Sequence, residues 1–349
     1  MSIGEEKMKA VILPGDKRVT VVERDIPEPG PHEVLVRTRA SAICRSDMSI
    51  YYGTPIVGGE GAGHGSVIPG HEAAGEVVKV GNAVTHVKEG DRVAGYLAVG
   101  CGFCEYCLSG YMMLCDQWKC FGFDVHGGDA EYFVLPERNC LQLPDELSFR
   151  AGAVMTDMVG SQYHVQKQLG VAGGKTVAVF GMGPMGSAAV LIGKAFGARV
   201  IAVDVIDHRL EQASSLGADA VINSTTADAV QQIRDLTQGR GADVCIDCSG
   251  NPAGQNSALD AAAKLGAVAF VGESRATQIN PSDQMLRKLL TVVGGWYFPI
   301  SDWEEIVRLV IGQKIPVEKL ISHDFSIDQA EEAFRAFDQR ETEKAVFVW

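Results

Sequence analysis

The chain has 349 residues, 46% hydrophobic and 21% charged, an ordinary globular composition with length enough for two cores. Its 31 basic and 44 acidic side chains leave a net charge of −13, and no lysine or arginine cluster marks a nucleic-acid surface. The start, "MSIGEEKMKAVIL", lacks the basic-then-apolar layout of a secretory signal, and the most apolar stretch, "TVAVFGMGPMGSAAVLIG", is broken by glycines and a proline. A cytoplasmic protein with neither nucleic acid nor membrane as a partner is expected.

From Lys9 to about Pro144 the sequence reads as short strands between turns: "EVLVRTRASAI", "AAGEVVKVG", "GDRVAGYLAV" and "DAEYFVLPE", spaced as in a barrel-like or Greek-key β domain. The loop "YYGTPIVGGEGAGHGSVIPG" is too rich in glycine for regular structure. Within this half, "CGFCEYCLSGYMMLC" sets Cys101, Cys104, Cys107 and Cys115 in C-x2-C-x2-C-x7-C spacing. Such steps let four thiolates converge on one tetrahedral zinc ion. Disulfides between cysteines this close would be strained, and an iron–sulfur cluster takes the same ligands but has no electron-transfer context here. A closed four-thiolate shell leaves no position for substrate, so this lobe is structural and the chemistry lies elsewhere.

After "LPDELSFRAGAVMTD" apolar strands alternate with helical stretches: "KTVAVFG", "PMGSAAVLIGKAFG", "RVIAVDV", "HRLEQASSLGA" and "AVINS". The alternation continues through "ADVCIDCSG", the helical "QNSALDAAAKLG", "AVAFVGES" and "LTVVGGWYF", and predicts a parallel sheet with crossover helices. Gly181, Gly183 and Gly186 stand in G-x-G-x-x-G spacing between a strand and a helix, where glycines admit a tight turn, close approach of a pyrophosphate and close helix packing. Asp204 ends the next strand, where a carboxylate accepts hydroxyl hydrogen bonds from the adenosine ribose and opposes a 2′-phosphate, so NAD is favoured over NADP. The tail, with helices in "SDWEEIVRLVIGQK" and "DQAEEAFRAFDQ" and a strand in "KAVFVW", is expected to return to the first domain.

Three further fragments hold metal-binding side chains: "ICRSDM" with Cys44 and Ser46, "PGHEAAGEVV" with His71 and Glu72, and "AVMTDMVGSQYHV" with Asp157. Each has a plain alternative, since a lone cysteine is often a core thiol, His71 and Glu72 suit a turn, and Asp157 suits a helix cap. Spacing alone does not bring them together.

"MKAVIL", C-x-S-D, "PGHEAAGEVVKVG", "GDRV", the cysteine lobe and the glycine loop stand in the order found in zinc-dependent medium-chain dehydrogenases, and this resemblance runs over nearly the whole chain. "MTDMVGSQYH" resembles the polyol, threonine and bacterial secondary-alcohol dehydrogenases, whereas the horse-liver type of alcohol dehydrogenase has a cysteine in place of the acid. The resemblance implies an α/β fold. Residues 1–156 would be a GroES-like β-barrel catalytic domain with the zinc lobe at about 100–116. Residues 157–297 would be a Rossmann doubly wound parallel-sheet domain for the dinucleotide, and 298–349 a segment returning to the catalytic domain.

It further implies two zinc ions per subunit, one structural in the lobe and one catalytic. Cys44 and His71 would be catalytic ligands, Asp157 a third ligand or one acting through water, and Glu72 an acid able to enter the shell as water leaves. Ser46 would bond the substrate oxygen and begin the proton relay. Relatives with a histidine relay carry it a few residues later, where this chain has Met48, Ser49, Tyr51 and Tyr52, so the outer end of the path stays unassigned. NAD would lie along Gly181, Gly183, Pro184, Met185, Gly186, Asp204, Arg209, Ser249, Val271 and Gly272.

The implied reaction moves hydride between a secondary alcohol and NAD, giving the ketone, with a polyol, sugar alcohol, cyclitol or aminocyclitol as substrate. A threonine-type or simple secondary-alcohol enzyme is the alternative. A zinc-free quinone or alkene reductase and a non-catalytic NAD-binding protein are the rivals. "KLLTVVGGWYF" resembles the strand through which family members join sheets across a two-fold axis, which implies a homodimer or homotetramer; the alternative is an internal, covered strand.

Overall fold

The computed structural model describes residues 7–57 and 65–349. Residues 58–64 of the glycine-rich loop and 1–6 of the amino-terminal stretch lie outside the described residues. Backbone packing divides the chain into two compact units. The first holds the residues up to Asp157 with Pro299–Glu304 and Glu318–Trp349, and the second holds Met158–Phe298 with Glu305–Val317.

In the first unit a seven-stranded, mainly antiparallel sheet runs in the order Ile321–Phe325, Lys344–Val348, Glu33–Ala42, Glu72–Val80, Arg92–Gly95 and Cys140–Gln142, with Tyr132–Pro136 also on Glu33–Ala42. Glu33–Ala42 is its axis, with Val34, Leu35, Val36, Ala40 and Ala42 buried. One edge of this strand is divided between two partners: Tyr132–Pro136 pairs along 33–37 and Lys344–Val348 along 40–42. Its other edge carries Glu72–Val80, with Ala42 opposite Glu72. Three strand ends are thereby gathered where the chain leaves Ala42 toward Cys44.

In the second unit six parallel strands lie in the order Ala220–Asn223, Arg199–Asp204, Thr176–Phe180, Ala242–Asp247, Ala262–Phe270 and Thr291–Gly294. The chain starts at the centre, winds outward to one side and then to the other, which is the doubly wound Rossmann order. Val177, Val179, Val200, Ile201, Val203, Ile246 and Val268 are buried, as strands covered on both faces require.

Two expectations need correction. "QNSALDAAAKLG" is not one helix: the helix Pro252–Ala261 stops and the strand begins at Ala262. The Lys288 ammonium donates to the carbonyls of Leu259, Asp260 and Ala262 at 2.8, 2.7 and 3.2 Å, which occupies the helix's last acceptors and overrides the helix preference of the alanine run. Nor does the tail return whole to the first unit, because residues 305–317 pack with the second. Glu305 accepts hydrogen bonds there from Tyr163 Oη at 2.7 Å and from Lys167. Among the described residues no helix is long and apolar enough to cross a membrane.

Candidate metal and cofactor sites

Cys44 follows the axial strand, His71 and Glu72 open the neighbouring one, and Asp157 lies in the π-helical turn Met155–Val159. That extra-wide turn follows the α-helical Phe149–Val154, and such turns occur often at functional sites. The helix is capped by Ser148, which accepts from Ala151 N–H at 3.0 Å, so Asp157 is not its cap. The four side chains meet: one donor atom from each of Cys44, His71, Glu72 and Asp157 lies within 4.8 Å of all the others. Asp157 Oδ2 is 3.5 Å from Cys44 Sγ and 3.6 Å from His71 Nε2, and Ser46 Oγ is 3.5 Å from the same Nε2.

The imidazole is held from behind. His71 Nδ1 stands 3.0 Å from Asp47 Oδ1, while Asp47 Oδ2 accepts from Cys44 N–H at 2.8 Å. A carboxylate only accepts, so Nδ1 carries a proton, and in the neutral ring Nε2 presents its lone pair to the cluster. Burial alone would lower the His71 pKa, but Asp47, joined by Asp157 and Cys44, raises it well above the ordinary value. Burial pushes the Cys44 thiol up, and it pushes Glu72 up to about 7 against the pull of Lys344. Ionised together, these groups would crowd negative charge into one small space, which a bound cation offsets. A thiolate, an imidazole and two carboxylates suit zinc, and Glu72 Oε2 is buried with no protein partner among the described residues. The residues fit a zinc ion.

The lobe sulfurs of Cys101, Cys104, Cys107 and Cys115 form a second such group within 4.8 Å, and there is no disulfide among the described residues. Backbone N–H groups point at the sulfurs: Phe103 and Cys104 at Cys101, and Cys101 and Gln117 at Cys115, each at 3.4 Å. The N–H groups of Phe103 and Cys104 bring the Cys101 thiol down to about 6, while burial pushes Cys107 up to about 12. A turn that solvates sulfur charge with its own backbone is prepared for thiolates.

In the second unit Gly181 takes φ of 91°, and a Cβ on Gly186 would lie 1.8 Å from the Gly181 carbonyl oxygen. The turn therefore needs glycine at both places. The helix Pro184–Ala195 starts here, with Gly183 as its N-cap and Pro184 and Met185 in its first turn. Ser249 packs on Gly181, and Val271 and Gly272 both bond the Asp247 carbonyl at 2.9 Å, so these positions gather at the carboxyl ends of three adjacent strands. A cavity of about 550 Å³ opens beside Val271 and Gly272. A Cβ on Gly183 would lie 4.0 Å from Arg209 Nη1. Asp204 is buried, its Oδ1 accepting from Val205 and Ile206 N–H at 2.7 and 3.0 Å and its Oδ2 from Met182 N–H. Each carboxylate oxygen accepts two bonds, so one position on Oδ2 remains for a hydroxyl.

Comparison with known proteins gives the same outline. Residues 30–145 match the model of the alcohol dehydrogenase GroES-like domain, and 184–312 that of the zinc-binding dehydrogenase. The uncharacterized zinc-type alcohol dehydrogenase-like protein YphC of Escherichia coli K12 is 35% identical over 94% of each chain. Probable D-xylulose reductase A of Emericella nidulans is 34% identical over 93% of this chain and 91% of its own. L-threonine 3-dehydrogenase of Pyrococcus horikoshii is 34% identical over 98% and 99%. The chain belongs to the zinc-type alcohol dehydrogenase family. Among solved structures, alcohol dehydrogenase TADH from Thermus sp. ATN1 superposes with a TM-score of 0.90 at 29% identity, over 97% of this chain and 99% of that one.

As a member of that family the protein is an oxidoreductase acting on CH–OH groups. In this zinc-type alcohol dehydrogenase, sequence reasoning missed three buried groups around the cluster of Cys44, His71, Glu72 and Asp157. Asp47 was visible in "CRSD", but its task depends on His71. Asp129 lies in "GGDAEY" and accepts from Ser41 Oγ at 2.6 Å. Lys344 heads "KAVFVW", resembles an exposed strand end in the sequence, and instead bonds Glu72 inside the protein. Neither Asp129 nor Lys344 carries a local signal.

Proposed function

We propose that the enzyme oxidises a secondary alcohol with NAD, with Cys44, His71 and Asp157 holding a catalytic zinc, Glu72 beside it, and Cys101, Cys104, Cys107 and Cys115 holding a structural one. The observation that carries this reading is the meeting of four zinc-type donors from three separate chain segments in a buried space beside Ser46. Zinc there would polarise the substrate hydroxyl, and NAD would take up the hydride. Asp47 keeps the proton on Nδ1 of His71, and Ser46 Oγ accepts the substrate proton and passes it outward. Ser49 Oγ already donates to the Ser46 carbonyl at 2.6 Å and accepts from Ile56 N–H at 3.2 Å, a bracing role.

The preference for NAD rests on Asp204, which ends its strand with one position on Oδ2 left for a ribose hydroxyl and none for a 2′-phosphate. For the substrate, the names of the D-xylulose reductase and L-threonine 3-dehydrogenase relatives support a polyfunctional secondary alcohol, with a polyol, sugar alcohol, cyclitol or aminocyclitol first and threonine second. Residues 1–156 serve as the catalytic domain and 157–297 as the cofactor domain, in a cytoplasmic homodimer or homotetramer. Supporting assembly, Thr291–Gly294 is the terminal strand of its sheet, flanked by exposed Leu286, Leu289 and Trp296. A panel of polyols, secondary alcohols and L-threonine, assayed by NADH absorbance with NAD and then NADP, tests the reading. Alcohol-dependent NADH formation is expected; its absence from zinc-replete protein across the panel overturns the proposal, and a preference for NADP overturns the role of Asp204.

A further inference from the structure

Lysine is almost never fully buried without a partner, yet the Lys344 side chain is 2% exposed and its partner Glu72 is 0% exposed. Lys344 and Glu72 head the two strands that flank the end of the axial strand, with Val346 and Glu72 both opposite Ala42, just before Cys44. The ammonium bonds Glu72 Oε1, the same oxygen that lies 3.9 Å from His71 Nε2, while Oε2 has no protein partner among the described residues. Cys44, Glu72 and Asp157, when deprotonated, bring three negative charges into one cluster. A divalent ion offsets two of them, and the fixed charge of Lys344 offsets the third.

We infer that Lys344 is a positioning residue that keeps the Glu72 carboxylate outside the metal's coordination shell, an inference that rests on the cluster being the catalytic metal site. Oε1 faces both the ammonium and the donor cluster, so its hold on one weakens its hold on the other. Removing the ammonium frees a carboxylate already within reach of the ion and leaves the cluster with an uncompensated charge. Glu72 then fills the position the substrate needs. A buried ion pair that serves only the fold would leave the coordination of the ion unchanged when rearranged.

The test uses Co2+ exchanged into the full-length protein after mild chelation, which the all-thiolate lobe resists. Visible absorption and the rate of Co2+ loss to a chelator are read for wild type, Lys344→Gln, Lys344→Arg, Glu72→Gln and the Lys344→Gln/Glu72→Gln double variant. With Lys344→Gln the d–d bands shift as a carboxylate replaces water on the ion, Co2+ loss slows by about tenfold, and turnover falls by about 10–100-fold. Lys344→Arg keeps the wild-type spectrum because it keeps the cation, and the double variant regains that spectrum because no carboxylate is left to bind. A Lys344→Gln protein with wild-type spectrum and Co2+ loss overturns the inference while leaving the metal site standing. Failure of wild type to take Co2+ outside the lobe overturns both. Should Lys344→Gln not fold, Glu72→Gln decides: an unchanged spectrum supports the inference, and an altered one shows Glu72 bound despite Lys344 and overturns it.

Discussion

Replacing Asp129 with asparagine should make the protein less stable in mild acid and more stable above neutrality. The Asp129 side chain is wholly buried, Oδ1 accepts from Ser41 Oγ at 2.6 Å, and Oδ2 has no partner among the described residues. Burial, and after it the nearby Asp47 carboxylate, pushes the group from its ordinary 3.8 up to about 7, against the pull of Ser41 and His71. The native protein therefore binds this proton more tightly than the unfolded chain does. The contribution to stability is full below about pH 4 and is lost as pH rises to about 7, a total of about 4 kcal/mol. Asparagine removes this pH dependence but places an amide N–H2 where Oδ2 has no partner, at about 1–3 kcal/mol. The gap in unfolding free energy between variant and wild type should shift by about 2 kcal/mol in favour of the variant between roughly pH 5.5 and 8. Denaturant midpoints of both zinc-loaded proteins at the two pH values measure it. A gap that stays constant means that Asp129 ionises normally, and the burial argument is then wrong.

Asp157→Asn should lose about 10–100-fold in activity and hold its catalytic zinc less tightly, because the amide is a neutral, weaker ligand; full activity with normal zinc content would remove Asp157 from the site. Mild chelation should extract one zinc per subunit and abolish turnover with circular dichroism unchanged, since a site containing carboxylates releases metal more readily than four thiolates. Cys104→Ser should lower stability or disrupt assembly, because lobe metal binding is part of the folding free energy; unchanged melting, sedimentation and zinc content would show that no structural metal is held there. Gly186→Ala should abolish NAD binding by calorimetry, since its Cβ would sit 1.8 Å from the Gly181 carbonyl oxygen and force the loop open; retained affinity would mean that the loop does not cradle the cofactor.

The sequence was most legible where structure depends on near neighbours. Four cysteines within fifteen residues, a glycine loop between a strand and a helix, and the alternation of strands with helices are local patterns, and the lobe geometry and the doubly wound sheet follow them. Local reading failed at "AAAKLG", because Lys288, far along the chain, occupies the carbonyls that would have continued the helix. At Asp204 the strand end was placed from the pattern, but the turn of its carboxylate toward Met182, Val205 and Ile206 was not.

The sequence by itself determined which side chains were available for metal and cofactor chemistry and which of them lay on the same turn. Only the tertiary structure decided which ones share a buried space: Asp157 reaches Cys44 across 113 positions and Lys344 reaches Glu72 across 272. Those meetings depend on strand register, with Ala42 set opposite Glu72 and Val346, and on one wide helical turn. Register is a property of paired strands, and the charge balance of the cluster emerges only once burial removes the water that would screen its members from one another.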